Sequence, residues 1–366
     1  MVMLRSTIAT TLLCAVLCGA VAGGAEYTYT YPPCAEGISC YTITTSAELT
    51  FDCGYVVNAS NSISSKGFVY HMHGNDGLQS KAMFFDTMRQ LGEVGYNSLA
   101  CDARGYSPGA APNTYDAYNY NNLQGDIFSI VDASGLSSAT EGRFHVVAHD
   151  QGARVAWHAI AAGAGRERFL SFSSLSIPHA DVFSDSLLSD SPDADQQEAA
   201  QYVRELVLPN STTFDTGEVW DNVCLPNGYS SAEQCQRCLW WYNGAIDSGA
   251  MALAPMMDYQ AGSVATLVGI PQEMVEANTQ YSLDGVPQTV KVGRVDEFPV
   301  LYACGGQDGS DLCKEAFSDE SAELIGNYSY LKLPTCGHDV VGCQVPGAAQ
   351  ELIDAIIRNI VLATDE

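Results

Sequence analysis

Three ionisable side chains have the types and positions needed to form and hydrolyse a covalent ester. Asp150 lies at a sharp corner, residues 149–152, between an apolar run and a helical pattern, and Asp308 and His338 each follow a later apolar run. Parallel strands present such residues at one edge of a sheet, so we expect these three to meet there. Asp308 would orient the imidazole of His338, which would activate the water that cleaves an ester on Asp150.

A carboxylate at this corner favours one kind of chemistry. Its attack on a carbonyl would give a labile anhydride, whereas its attack on a saturated electrophilic carbon gives an ester that water can hydrolyse. The sequence contains no G-x-S-x-G motif, which disfavours a serine esterase. Taken singly, Asp308 could cap a turn and His338 could lie on the surface. Their order after Asp150, however, is that of α/β hydrolases and not of trypsin-like or subtilisin-like enzymes.

Alternating strands and helices must position these residues. Apolar runs predict strands at 68–73, 97–102, 144–148, 169–177, 298–304 and 328–333, and helical spacing predicts helices at 81–91, 123–133, 153–162, 315–325 and 348–362. Near-continuous apolar strands between helices indicate a mostly parallel sheet covered on both faces. Residues 26–31 and 48–57 alternate apolar and polar side chains, which predicts antiparallel edge strands.

The pattern changes between residues 181 and 297, which are acidic, helix-forming and interrupted by proline, glycine and cysteine. We expect an inserted helical domain there, between core segments 23–180 and 298–366. Residues 1–22 place an arginine before an apolar run and end in Ala20-Val21-Ala22, which is typical of a cleaved signal peptide. This predicts a secreted protein without a stable membrane anchor.

The cysteines support export. Of the thirteen, Cys14 and Cys18 would leave with the signal, and the odd number that remains predicts disulfides and at least one free thiol. We expect Cys101 to be that thiol, because it lies in an apolar strand. The pair Cys235 and Cys238 is interpreted as a structural disulfide, because neither a second C-x-x-C nor a histidine pair lies nearby to complete a metal site.

The composition limits the classes of molecule that the protein is expected to bind. The apolar content of 46% is enough for a full core, and a net charge of −27 argues against binding to nucleic acid or to anionic membranes. His71 and His73 form an H-x-H pattern, but no carboxylate is assigned to complete a metal site. We therefore expect no metal and no cofactor, and leave the oligomeric state open. The glycosylation pattern N-x-S/T predicts a glycoprotein and begins at Asn58, Asn210 and Asn327.

These motifs together resemble the epoxide hydrolase and haloalkane dehalogenase group of α/β hydrolases, whose aspartate nucleophile lies in H-D-x-G. The resemblance is greatest to soluble epoxide hydrolases, and it runs through His73-Gly74, 102–107, 149–152, 176–179, 306–308 and Gly337-His338. It implies the α/β-hydrolase fold, with an eight-stranded, mostly parallel sheet, helices on both faces and residues 181–297 as a helical cap.

The resemblance also implies roles for further residues. The backbone N–H groups of Asn75 and Gln151 would form an oxyanion hole. Tyr202 and Tyr242 match the two cap tyrosines that hydrogen-bond the epoxide oxygen and protonate it as it becomes an alkoxide, although aromatic packing is the alternative for each. The expected substrate is a small, apolar epoxide.

Three positions leave other functions open. Asp76 stands where the family loop H-G-x-P has proline, and Gln151 stands where haloalkane dehalogenases have a tryptophan that holds the halide. Arg154 resembles an arginine with which fluoroacetate dehalogenases bind a carboxylate, and a helix-surface salt bridge explains it equally well. The alternatives to epoxide opening are therefore a dehalogenase that acts on haloalkanes or haloacids and a non-catalytic secreted binding protein.

Overall fold

One sheet of eight strands organises the molecule. The computed structural model describes residues 35–57, 66–75, 80–200, 220–226, 228–247 and 291–363. The strands are β1 (Ser39–Thr44), β2 (Thr50–Val56), β3 (Phe68–Met72), β4 (Asn97–Cys101), β5 (Phe144–His149), β6 (Phe169–Leu175), β7 (Val300–Gly305) and β8 (Tyr328–Leu333). Their order across the sheet is β1-β2-β4-β3-β5-β6-β7-β8.

The sheet is parallel from β4 to β8, and the pairs β1–β2 and β2–β4 are antiparallel. Every side chain of β4 and β5 is buried, as expected for strands covered on both faces. The predicted mostly parallel sheet is therefore confirmed. Strand β1 was not predicted, because its side chains are exposed except at Ile43 and leave no apolar pattern. The strand predicted at 26–31 lies outside the described residues.

Helices cover both faces of the sheet. The α-helices of the described residues are α1 (Phe85–Glu93), α2 (Tyr120–Ser134), α3 (Gln151–Ala161), α4 (Ala164–Arg168), α5 (Ala180–Leu188), α6 (Ala194–Ala199), α7 (Ala232–Asp247), α8 (Glu315–Leu324) and α9 (Ala348–Leu362). One core packs α1 and α9 against one face through residues such as Met88 and Ile356, and the other packs α2 and α3 through Ile127 and Trp157. None of the described helices is long and apolar enough to cross a membrane.

The described part of the predicted insertion is helical. It comprises most of α5, α6, a π-helical turn at Trp220–Cys224, and α7. Helix α7 buries Leu239, Trp240 and Trp241 in the same core as α2 and α3. The described residues belong to one compact unit, so this helix is part of the body that carries the sheet.

The disulfides correct two expectations about the cysteines. Cys101 is buried as expected, but it bonds to Cys53, its register partner on the antiparallel strand β2. The predicted disulfide between Cys235 and Cys238 is also wrong. Cys235 bonds to Cys224 and leaves Cys238 as a buried free thiol. Two further disulfides close short loops next to the predicted site, Cys304–Cys313 and Cys336–Cys343.

Candidate active site

Asp150 lies at the corner between β5 and α3, in a backbone conformation that few side chains adopt. Its φ is 48° and its ψ is −122°, which for a residue with a side chain stores about 1–3 kcal/mol of strain. The corner is closed by the Asp150 N–H, which donates to the Leu175 carbonyl at 3.1 Å, and by the Arg154 N–H, which donates to the Asp150 carbonyl. Gly152 is required here, because a Cβ would lie 2.5 Å from the His73 carbonyl oxygen.

His338 lies between two carboxylates. Its Nε2 is 3.5 Å from Asp150 Oδ1, and its Nδ1 is 2.8 Å from Asp308 Oδ2. The His338 carbonyl accepts hydrogen bonds from the Ser176 hydroxyl at 2.6 Å and from His149 Nε2 at 3.0 Å, which fixes the loop that carries the imidazole. The structure thus brings the three predicted ionisable residues together in the predicted order.

The loop after β7 presents Asp308 to this histidine. The second oxygen of the Asp308 carboxylate accepts from the Ser310 hydroxyl and from the backbone N–H groups of Ser310 and Asp311, at 2.9–3.0 Å. Gly305, at the end of β7, allows the two loops to approach, because a Cβ there would lie 2.0 Å from the Gly337 carbonyl oxygen. Asp308 is therefore held by one loop and aimed at the imidazole of the other.

Because Asp150, Asp308 and His338 lie close together, each group shifts the pKa of its neighbours. Burial raises the pKa of Asp150, but the hydrogen bond and charge of His338 outweigh it and the net pKa lies below its usual value. The pKa of Asp308 is lowered for the same reason, against the effect of burial. Burial lowers the pKa of His338, but the two carboxylates prevail and raise it well above its usual value. The two carboxylates thus favour the protonated form of His338 in the resting site.

One of the two predicted oxyanion donors contacts Asp150. The Asn75 N–H donates to Asp150 Oδ2 at 2.8 Å, which leaves Oδ1 on the side of His338. Gln151 lies at the start of α3, directly after Asp150, and the described residues include no hydrogen bond from its N–H to the Asp150 carboxylate. Its side-chain amide is fully buried without a hydrogen-bond partner in the described part of the chain.

Side chains hold the segment that carries Asn75. The Ala103 N–H donates to His73 Nε2 at 2.9 Å, so Nε2 is the acceptor and Nδ1 carries the proton that is donated to the Gly74 carbonyl at 2.8 Å. The Tyr106 hydroxyl donates to Asn75 Oδ1 at 3.0 Å. The sequence pattern pointed to this segment but not to the role of Tyr106.

A buried ion pair next to the triad was not predicted. Arg154 Nη2 is 2.7 Å from Asp311 Oδ1, and both side chains are almost fully buried, so Arg154 is not on the helix surface. Asp311 Oδ2 lies 3.7 Å from His338 Nδ1. Burial raises the pKa of Asp311 to about 6, although Arg154 opposes this. No spacing rule links residues 154 and 311, which meet only because α3 and the loop after β7 share one sheet edge.

The same groups do not fit a metal ion. Asp150, Asp311 and His338 offer ligand atoms within 4.8 Å of one another. The Arg154 guanidinium is already ion-paired with Asp311 and repels a cation, and Nδ1 of His338 is already hydrogen-bonded to Asp308. The H-x-H pattern does not fit either, since both ring nitrogens of His73 are already hydrogen-bonded.

For one of the two predicted cap tyrosines, Tyr242, the structure describes the backbone but not the side chain. Tyr242 lies in α7 directly after Trp241, whose ring centroid is 5.8 Å from that of His73 and 5.6 Å from that of Tyr106. The backbone of Tyr242 is therefore in the helix that packs against His73, two residues before Asn75. The side chain of Tyr242 is not among the described parts of the structure. Tyr202 lies outside the described residues.

Curated proteins similar to this chain include two epoxide hydrolases. The epoxide hydrolase of Caballeronia sordidicola is 27% identical over 164 residues, 44% of this chain and 43% of that protein. Epoxide hydrolase A of Mycobacterium tuberculosis is 34% identical over 88 residues, 24% of this chain and 25% of that protein. The chain thus matches less than half the length of these relatives. No protein-family model matches it.

Solved structures share the fold at low identity. One, described under novel epoxide hydrolases of the α/β-hydrolase superfamily from metagenomes of hot environments, has a TM-score of 0.59 at 17% identity and covers 88% of this chain and 98% of that one. A Salmonella enterica protein whose proposed activity is acyl transfer has a TM-score of 0.58 at 16% identity, covering 90% and 98%. The chain has the α/β-hydrolase fold, and because that fold serves several reactions, its own reaction must be argued from the site.

Proposed function

We propose that this protein is a hydrolase that opens small epoxides to diols through a covalent ester on Asp150. One observation carries the proposal: the Asp150 carboxylate has Oδ2 on the Asn75 N–H and Oδ1 toward a histidine that Asp308 supports. A carboxylate in this position is suited to a saturated carbon, and an epoxide supplies such a carbon with a strained leaving oxygen. The similarity to epoxide hydrolases supports the same substrate class.

In the first step Asp150 Oδ1 attacks one epoxide carbon. The bond from that carbon to the ring oxygen breaks, and its electron pair remains on the oxygen, which takes a proton. Tyr202 and Tyr242 are the proposed donors, since a phenol with a usual pKa of about 10 can protonate an alkoxide. The proximity of Trp241 to His73 supports the assignment of Tyr242.

Ester formation also prepares the second step. It removes the negative charge of Asp150, which is one of the groups that raise the pKa of His338. The imidazolium then loses its proton more readily, and neutral His338 takes a proton from the water that attacks the Asp150 carbonyl carbon. Negative charge develops on Oδ2, where the Asn75 N–H stabilises it. The intermediate collapses when the bond between the Asp150 carboxyl carbon and Oδ1 breaks, and His338 returns its proton to Oδ1, which leaves as a hydroxyl of the diol. The water oxygen stays on Asp150, and the new carboxylic acid gives its proton to His338, which restores the resting site.

The cellular setting belongs to the proposal as well. Export through the predicted signal peptide agrees with the disulfides, of which Cys53–Cys101 and Cys224–Cys235 are buried and require an oxidising compartment to form. We propose a secreted enzyme that needs no cofactor, and glycosylation at Asn327 remains part of this proposal.

Trapping the ester tests the function. The variant His338→Gln lacks the base, so ester formed on Asp150 should persist. The purified variant is incubated with a panel of epoxides and haloalkanoates, and the intact protein is weighed by mass spectrometry. An added mass equal to a whole epoxide, mapped to the peptide that contains Asp150, is expected.

The double variant Asp150→Asn/His338→Gln is the matched control and should gain no mass. An adduct equal to a haloacid without its halide would instead assign a dehalogenase. The ion pair between Arg154 and Asp311 argues against that outcome, because a substrate carboxylate would have to compete with Asp311 for the guanidinium. No adduct, together with an inactive wild type, would favour the binding protein.

A further inference from the structure

The segment that carries the oxyanion donor is held by side chains. Strand β3 ends at Met72, and among the described residues no backbone-to-backbone hydrogen bond reaches Gly74 or Asn75. Within the described part of the chain, side-chain contacts that hold this segment come from His73 and from the Tyr106 hydroxyl, which donates to Asn75 Oδ1 at 3.0 Å. Of these contacts, the one from Tyr106 holds the side chain of the donor residue itself.

Tyr106 is a rigid anchor. Its side chain is buried, and its ring stands edge-on to those of His73 and Trp241, with centroids 4.7 and 5.6 Å away. Its N–H bonds back to the Ala103 carbonyl, and the neighbouring Ser107 hydroxyl donates to the Asp102 carbonyl at 2.7 Å.

The loop around Tyr106 is tied to its neighbours on both sides. Arg104 forms two hydrogen bonds with the Asp126 carboxylate of α2, at 2.6 and 2.8 Å. A Cβ on Gly105 would lie 2.8 Å from the Arg237 carbonyl oxygen, so α7 packs directly on the other side. A hydroxyl placed by such a loop can hold the Asn75 side chain in one orientation.

We propose that Tyr106 is a positioning residue that aims the Asn75 N–H at Asp150 Oδ2. The inference rests on the proposed covalent mechanism and adds the step at which Tyr106 acts. During attack on the epoxide, Oδ2 changes from a carboxylate oxygen to an ester carbonyl oxygen and loses charge, so a well-aimed donor gives little acceleration. During hydrolysis Oδ2 gains a full negative charge, so the same donor accelerates the reaction.

Tyr106→Phe therefore affects one step. Loss of an oxyanion donor slows acyl transfer by about 100-fold or more, and a donor that stays but loses its aim should slow hydrolysis of the Asp150 ester by about tenfold. Ester formation should stay within about twofold of wild type, so the ester accumulates during turnover and kcat falls while kcat/KM changes little. Rapid quenching followed by intact-mass measurement reads the ester-bound fraction directly.

Three further variants make the experiment decisive. Asn75→Ala keeps the backbone N–H and removes the acceptor of Tyr106, so it should reproduce the effect, and Tyr106→Phe/Asn75→Ala should be no slower than either single variant. Tyr118→Phe is the matched control. The Tyr118 hydroxyl is buried and donates to the Pro112 carbonyl, and the Tyr118 ring packs on Trp240 of α7, the helix that also carries Trp241. It should leave the ester fraction unchanged.

The outcomes separate the two proposals. If wild type turns over epoxides but His338→Gln gains no mass with any of them, the covalent mechanism itself is wrong. If wild type turns over and neither Tyr106→Phe nor Asn75→Ala raises the ester fraction, the positioning role is wrong. Additive losses in the double variant, or an equal loss in both steps, would also overturn it. Should Tyr106→Phe fold poorly, Asn75→Ala provides the same test.

Discussion

At the scale of the residue, the charge on Asp150 controls the protonation of His338. The histidine lies 3.5 Å from Asp150 and 2.8 Å from Asp308, and these carboxylates raise its pKa against the effect of burial. A base with a raised pKa is protonated when the substrate arrives and must become neutral afterwards. In the proposed mechanism, conversion of Asp150 into an uncharged ester provides that change without movement of the chain.

Asp150→Asn reproduces the uncharged state and should lower the pKa of His338. The amide keeps the shape of the carboxylate but removes its charge, so the imidazole loses its proton at a lower pH than in wild type. NMR titration of labelled histidines measures both midpoints. His158, whose pKa burial lowers to about 4, lies at the other end of α3 and should titrate alike in both proteins. An unchanged His338 midpoint would contradict the mechanism.

The sequence predicted the residues of the triad but not those around it. Asp150, Asp308 and His338 each follow an apolar strand, so their place at one sheet edge follows from the parallel topology. Asp311 and the Tyr106 hydroxyl act through contacts between separate loops, and no local pattern encodes such contacts. The sequence signal was weak: Tyr106 lies within the segment 102–107 that carries the resemblance, and Asp311 lies three residues after Asp308.

At the scale of the element, the loop after β7 is held by α6. Gln196 is buried, its amide nitrogen donates to the Ser310 carbonyl, and its amide oxygen accepts from the Leu312 N–H, both at 2.8 Å. Lys314 is ion-paired with Asp193 at 2.6 Å, beside the start of the same helix. A short helix of the predicted insertion thus fixes the segment that presents Asp308.

Gln196→Ala should therefore reduce both stability and turnover. The substitution removes two hydrogen bonds from half-buried backbone groups, the Ser310 carbonyl and the Leu312 N–H, which costs about 1–3 kcal/mol in the free energy of unfolding. Release of the loop should lower kcat by about tenfold, because Asp308 no longer holds His338 in place. Denaturant unfolding and initial rates measure the two effects.

Gln197→Ala is the control for that experiment. Its amide donates to the Leu187 carbonyl at 2.9 Å from a half-buried position on the same helix. It should lower stability by about 1 kcal/mol or less and leave kcat unchanged. Equal effects of the two substitutions would show that α6 contributes general stability and does not position the loop.

The elements themselves differed in how well the sequence predicted them. Strand β8 and helix α9 begin and end where their apolar patterns predict. Strand register was beyond prediction, and this explains the error at Cys101: its burial follows from the apolar run, but its bond to Cys53 depends on how β2 pairs with β4. The error at Cys235 has the same origin, since Cys224 reaches it only through the fold of the insertion.

At the scale of the whole molecule, acid has two opposing effects on stability. The net charge of −27 falls in magnitude as carboxylates are protonated, which relieves repulsion within the folded protein. Buried histidines act in the other direction, because the folded protein keeps them neutral while the unfolded chain protonates them. Burial lowers the pKa values to about 3 for His71 and His145 and to about 4 for His158 and His179.

His71→Leu should separate these effects. Both ring nitrogens of His71 are buried and lack a hydrogen-bond partner among the described residues. With a folded pKa of about 3 and an unfolded value near 6.5, its contribution to stability is fully present above pH 6.5 and is lost as the pH falls toward 3. Between pH 6 and 4, wild type should lose up to about 1.4 kcal/mol per pH unit relative to His71→Leu. Val69→Ala, on the same face of β3, should lower stability equally at every pH, and parallel curves for His71→Leu and wild type would contradict the assignment.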